Sequence, residues 1–162
     1  MPPGTTLGLS YHVTPKFLFG YDMHYYFPIA YDIDYFTQVA QKDAYVYVKE
    51  SKRIRKNSVI NYNLGGEYMI SENIPLRFGF FSNKSLSPKV NINLQEKQSH
   101  LDNYGITLSS GLISENSTLM FNFKYGFGKG NMTTPNLDTG KMEIVDLKFA
   151  SYALGFSGSY WF

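Results

Sequence analysis

The sequence predicts an all-β protein, an antiparallel sheet of the transmembrane-barrel kind, and three observations predict it. Large apolar residues alternate with small or polar ones at period two along most of the 162 residues. The connectors between alternating segments are short and long by turns, as in barrels whose two rims face different compartments. One face of the alternation is crowded with Tyr and Phe, whereas the other is mostly Gly, Ser and Asn. A membrane barrel turns such faces to lipid and lumen respectively.

The segments follow in order. In residues 4–13, Leu7, Leu9, Tyr11 and Val13 oppose Thr6, Gly8, Ser10 and His12. The second segment runs from Phe17 to Tyr35 with its apolar residues at odd positions, and Leu18, Gly20, Asp22 and His24 lie opposite. The third sets Ile60, Tyr62, Leu64, Tyr68 and Ile70 against Asn61, Asn63, Gly65 and Glu67. The fourth sets Leu76, Phe78 and Phe80 against Arg77 and Gly79, and the fifth sets Tyr104, Ile106, Leu108 and Leu112 against Asn103, Gly105, Thr107 and Ser109. In the sixth, Leu119, Phe121, Phe123, Tyr125 and Phe127 oppose Asn122, Lys124, Gly126 and Gly128. The last sets Tyr152, Leu154, Phe156, Tyr160 and Phe162 against Ser151, Ala153, Gly155, Ser157 and Ser159, giving seven strands and no helix.

The connectors at 14–16, 71–75 and 114–117 are tight, while those at 37–56, 82–100 and 129–143 are long and polar. Seven strands would leave the two ends on opposite sides of a membrane, whereas bacterial single-chain barrels have even counts. Met1-Pro2-Pro3-Gly4 opens no basic-then-apolar export leader. The expectation is therefore the C-terminal portion of a larger barrel.

Composition narrows the function classes. A net charge of +2 gives no pull toward nucleic acid, and the absence of cysteine removes disulfides, thiolate catalysis and cysteine-ligated zinc. No apolar run approaches the roughly 18 residues of a membrane helix. The slightly negative mean hydropathy still suits a barrel, because averaging hides the alternation. Aromatics make up 17%, with 14 Tyr and 13 Phe, and suit both strands and membrane-interface belts.

The final strand ends in Tyr160-Trp161-Phe162, with Phe156 and Leu154 alternating behind. Leu154, Phe156, Tyr160 and Phe162 resemble the C-terminal signal read by the barrel-assembly machinery, which makes that machinery an expected partner. Further stretches resemble the FadL-type family of outer-membrane long-chain fatty acid and hydrophobic-compound transporters. They are Pro3-Gly4-Thr5-Thr6-Leu7-Gly8-Leu9-Ser10-Tyr11 with Thr14-Pro15-Lys16, then Asn63-Leu64-Gly65-Gly66-Glu67-Tyr68, Ile74-Pro75-Leu76-Arg77-Phe78-Gly79-Phe80 and Tyr125-Gly126-Phe127-Gly128-Lys129-Gly130. They occur in the family's order and correspond to its C-terminal half. The resemblance implies a fourteen-stranded barrel, an N-terminal hatch and first strands that this chain lacks, and passive uptake of hydrophobic molecules across the outer membrane of a Gram-negative bacterium.

Candidate chemistry falls mainly on the small-residue face. His12, Asp22, His24, Glu67, Arg77 and Lys124 all lie there, and Asp22, Glu67 and Arg77 occupy three successive strands of the prediction. An Arg between two carboxylates would form a polar network stiffening the wall, since charges inside membranes normally pair. His12, Asp22 and His24 lack a fourth ligand and a metal-site spacing, so neither metal nor cofactor is expected. His100 and Asp102 stand near the long-connector rim with no Ser identifiably beside them. The Lys49, Lys52, Arg53, Arg55 and Lys56 cluster reads as a solvated loop base that could meet anionic lipopolysaccharide. Val145, Leu147 and Phe149 are apolar at odd positions, although the even positions are apolar from Tyr152 onward. Either a bulge near Ala150 resets the phase, or these three face the lumen as a lining for a hydrophobic ligand. The leading expectation is a non-enzymatic channel for hydrophobic compounds in contact with outer-membrane lipid. A general porin, an outer-membrane hydrolase and a soluble β-sandwich are its rivals.

Overall fold

Val, Ile, Tyr, Phe and Thr suit a pleated, half-covered surface, and their alternation folds here into strands. The computed structural model describes residues 2–41, 44–91 and 98–161, with 40, 41 and 44 described by backbone alone. Nine strands follow in chain order: β1 (Gly4–Thr14), β2 (Phe17–Tyr26), β3 (Ile29–Gln41), β4 (Ala44–Lys56), β5 (Val59–Ser71), β6 (Ile74–Asn83), β7 (Ser99–Ile113), β8 (Ser117–Pro135) and β9 (Met142–Tyr160). Seven of them form one antiparallel sheet in the order β1-β2-β5-β6-β7-β8-β9, and β3 and β4 pair as a separate ribbon. The protein is all-β, and its described residues contain no helix.

Two of the long connectors prove to be largely strand. The expected segment from Phe17 to Tyr35 is interrupted at Phe27-Pro28, and residues 37–56 belong to the ribbon rather than to a loop. Val39, Tyr45, Val46, Tyr47 and Val48 favour strand strongly, but the basic run beside them has the composition of a loop. Pairing keeps a single register from Phe17↔Tyr68 through Tyr26↔Val59 and Ile29↔Lys56 to Gln41↔Ala44. The ribbon is thus the upper half of one long hairpin. At the interruption Pro28 has no N–H to offer, while Phe27 N donates sideways to Pro3 O at 2.9 Å and Asn57 N to Leu86 O at 2.8 Å.

The connector expected at 129–143 shrinks to residues 136–141, because β8 and β9 each run 19 residues. Their turn is held by Asn136, whose Oδ1 accepts from Asp138 N and Thr139 N at 2.9 and 3.0 Å. Gly140 completes it at φ 68°, a conformation that costs an L side chain strain.

One row of paired residues crosses the sheet through Phe17, Tyr68, Leu76, Ser110, Phe121 and Phe156. β2 begins on this row, whereas β9 runs four residues beyond it to Tyr160. The strands are staggered in one direction, as in the shear of a tilted barrel wall. β1 and β9 are the free edges of the sheet. The sheet is a single layer: among the described residues Met120, 7% exposed, and Pro75 are the buried apolar side chains, while large apolar residues of every strand lie open.

Candidate functional site

The register turns the small-residue side into ordered rows. One row holds Asp22, Asn63 and Phe81 on β2, β5 and β6. The next, toward the tight turns, holds Gly20, Gly65, Gly79, Thr107 and Lys124. A third holds Leu18, Glu67 and Arg77. The glycines leave a shallow hollow of about 320 Å³ with Asp22, Asn63, Phe81 and Thr107 around it.

These rows divide the expected polar network. Arg77 Nε donates to Glu67 Oε2 at 2.5 Å, a charge-assisted bond between directly opposed residues. Glu67 faces Leu18, however, and Asp22 lies four residues further along β2. At the rise of a strand that is about 13 Å, so Asp22 does not join the pair. His24 is held elsewhere: Asn63 Nδ2 donates to Nε2 at 3.0 Å, which puts the ring proton on Nδ1 facing Thr6 Oγ1 at 2.9 Å. Both ring nitrogens are thereby occupied. His12 sits on β1 opposite Leu18, near a register shift between His12 and Thr14. No group of three His, Cys, Asp or Glu among the described residues could hold a metal ion.

Lys124 stands apart from the carboxylates, with its ammonium 4.7 Å from the centroid of the Phe81 ring. Phe81 lies over Gly105, where even a Cβ would collide with the ring. Phe81 is not among the candidates that residue type alone singles out. Its signal was the adjacent pair Phe80-Phe81, because two neighbours in a strand cannot both face the aromatic side.

At the rim, His100 Nδ1 meets the Ser87 carbonyl at 2.8 Å, and Nε2 lies 3.7 Å from Asp102 Oδ1. A carbonyl only accepts, so Nδ1 carries the proton and donates it to Ser87 O. Asp102 Oδ1 also accepts from Ser85 N at 2.8 Å. These bonds pin Ser85 and Ser87 to β7, and no nucleophile–base pair forms among them.

The question of phase near Ala150 has a clear answer. β8 and β9 pair without a register shift from Ser117↔Tyr160 to Pro135↔Met142, so no bulge resets the alternation. Val145, Leu147 and Phe149 therefore share the face of Ser151 and Ala153, opposite Met132, Gly130 and Gly128. Phe149 Cε1 lies 3.6 Å from where a Cβ on Gly126 would stand. An apolar strip thus adjoins the long-connector end of the small-residue face. Leu154, Phe156 and Tyr160 lie on the opposite, aromatic face. Trp161 N and Nε1 donate to Asn116 O and Glu115 O, both at 3.0 Å, and Phe162 is outside the described residues. No family model matches the chain, and no curated protein matches it.

Proposed function

We propose that these strands are part of the wall of an outer-membrane β-barrel in a Gram-negative bacterium, a channel through which hydrophobic molecules such as long-chain fatty acids or aromatic hydrocarbons pass. The observation that carries this reading is the single-layer sheet with an aromatic face. Leu9, Leu64, Phe78, Ile106, Phe121 and Leu154 lie open side by side on one surface, an apolar area far beyond the patches soluble monomers leave uncovered. Hydrocarbon is the solvent in which that face costs nothing. Lipid cannot satisfy open edges, so β1 and β9 pair with further strands to close the barrel.

The resemblance to FadL-type transporters and the strip of Val145, Leu147 and Phe149 on the lumen-facing side support a hydrophobic cargo. A ligand chain gains about 0.8 kcal/mol for each methylene it buries, and the small residues beside the strip leave it accessible. The C-terminal residues Leu154, Phe156 and Tyr160 would meet the barrel-assembly machinery. The tested expectation is uptake: cells carrying the protein should take up long-chain fatty acids faster than cells without it. Replacing Val145, Leu147 and Phe149 together by Ser should reduce that difference while leaving heat-modifiable gel migration intact. Equal entry of hydrophilic sugars and fatty acids would instead indicate a general porin.

A further inference from the structure

The β3–β4 ribbon carries a large apolar surface that transport through a lumen does not use. Odd residues of β3 and even residues of β4 share one face, which includes Tyr31, Ile33, Tyr35, Val39, Val46 and Val48, each between 42% and 47% exposed. The other face carries the ion pairs Asp34–Lys49 at 2.7 Å and Asp32–Arg53 at 3.9 Å, with Ser51 donating to Asp34. Phe36, Tyr45 and Tyr47 also stand on that face, so the ribbon, about 40 Å for 13 residues per strand, is amphipathic toward its base and aromatic on both faces toward its tip. Two strands alone are marginal in water. Among the described residues β3 and β4 pack substantially only on each other, with fastenings at the base from Asn57 N to Leu86 O and from Lys56 Nζ to Ser87 Oγ. The apolar face needs a cover.

Phase and hinge together decide which cover fits. Phe27 still lies on the aromatic side of the sheet, edge-to-face with Tyr25 at 5.0 Å. The unbroken register from Tyr26↔Val59 to Ile29↔Lys56 carries the odd residues of β3 onward in the same phase. The apolar face of the ribbon thus continues the face assigned above to lipid. The ladder opens only at residues 27–28 and 57–58, which is where the ribbon can bend. Bending outward lays its apolar face on the membrane surface, whereas bending inward over the lumen would turn that face to water. Lys52 stands on the same face near the base, opposite Ile33, and Glu50 on that face accepts from the Tyr35 hydroxyl at 2.8 Å. A long cationic side chain at Lys52 reaches anionic headgroups while its stem stays among apolar neighbours.

We propose that the ribbon is an interfacial arm that docks on the outer leaflet, with Tyr31, Ile33, Tyr35, Val39, Val46 and Val48 against the lipid. The arm rests on the membrane reading, so its test must fail separately from that reading. Trp161 is the single tryptophan, so a Trp161→Phe background allows one reporter at a time: Ile33→Trp on the apolar face, Ser51→Trp on the charged face, and Leu154→Trp on the aromatic face of the sheet. Each variant is taken from outer membranes and reconstituted into brominated phosphatidylcholine vesicles containing phosphatidylglycerol. Bromine should quench Leu154→Trp strongly, and Ile33→Trp at least about twofold more than Ser51→Trp. Adding Lys52→Glu should weaken the quenching of Ile33→Trp. Quenching at Leu154→Trp but not at Ile33→Trp would overturn the arm and leave the wall standing. No quenching at Leu154→Trp would remove the membrane reading and the arm with it. Protection of Ile33→Trp from iodide that disappears on dilution, without bromine quenching, would identify a second copy as the cover and overturn the lipid assignment.

Discussion

The β2–β5 pair and the β3–β4 pair are the lower and upper halves of one hairpin, but β1 and β6 flank the first whereas, among the described residues, no strand flanks the second. Below the interruption the two faces are sorted into aromatic and small, and the charges sit on the small side in rows set by four or more strands. Above it, each face mixes aliphatic, aromatic and charged residues, and Asp34–Lys49 and Asp32–Arg53 pair across the ribbon itself. Register is thus a property of the strand pair, and it passes through a break intact. The rows in which residues of distant strands meet come from neighbours.

Three substitutions would break or sharpen this contrast. The largest effect is expected from charge on the aromatic face. Ile106→Arg, on β7 between β6 and β8, should lower unfolding stability in bilayers by about 2–4 kcal/mol if that face lies in hydrocarbon. Tyr47→Arg, in the ribbon, should change it by no more than about 0.5 kcal/mol. Equal effects in urea titrations of vesicle-bound protein would erase the distinction between the two halves.

A smaller effect is expected at the Glu67–Arg77 pair. The side chains are 29% and 46% exposed, so Arg77→Leu should cost about 1 kcal/mol rather than the several of a buried pair. A double-mutant cycle with Glu67→Leu should recover a coupling energy, whereas a cycle of Arg77→Leu with Asp22→Leu should be additive within about 0.5 kcal/mol. Non-additivity with Asp22 would restore the three-residue network that the register separates.

The smallest effect belongs to Asp34 in the ribbon. Its carboxyl is held below its ordinary value of 3.8, first by the Lys49 ammonium and then by the Ser51 hydroxyl. A lowered folded value means that the stabilisation is complete above the ordinary value and is lost as the pH falls through the lowered one. Amide exchange across β3–β4, compared at equal intrinsic rates, should therefore be independent of pH above about 4 and accelerate below it. Asp34→Asn should flatten this profile. A ribbon that loosens between pH 5 and 7 would owe its pH response to another group.

Much of this was legible in the residues themselves. Period two assigns Leu7, Tyr21, Leu64, Phe78, Ile106, Phe123 and Leu154 to one side whatever their partners, because successive side chains of a strand point to opposite faces. Turn-forming residues such as Pro15 and Asn73 mark the tight connections for an equally local reason. The tertiary structure decided what depends on two distant segments at once. Asp22, Glu67 and Arg77 share a face by parity, but only the alignment of β2, β5 and β6 leaves Asp22 two rows from the ion pair. The basic run from Lys49 to Lys56 reads as loop until Ile29–Gln41 is seen pairing with it. The orientation of Val145, Leu147 and Phe149 likewise rested on whether β9 slips against β8, and their unbroken ladder excludes a slip. Alternation is written into each strand singly, whereas register is a property of a pair, and which charges meet or which apolar side chains line a face follows from the pair.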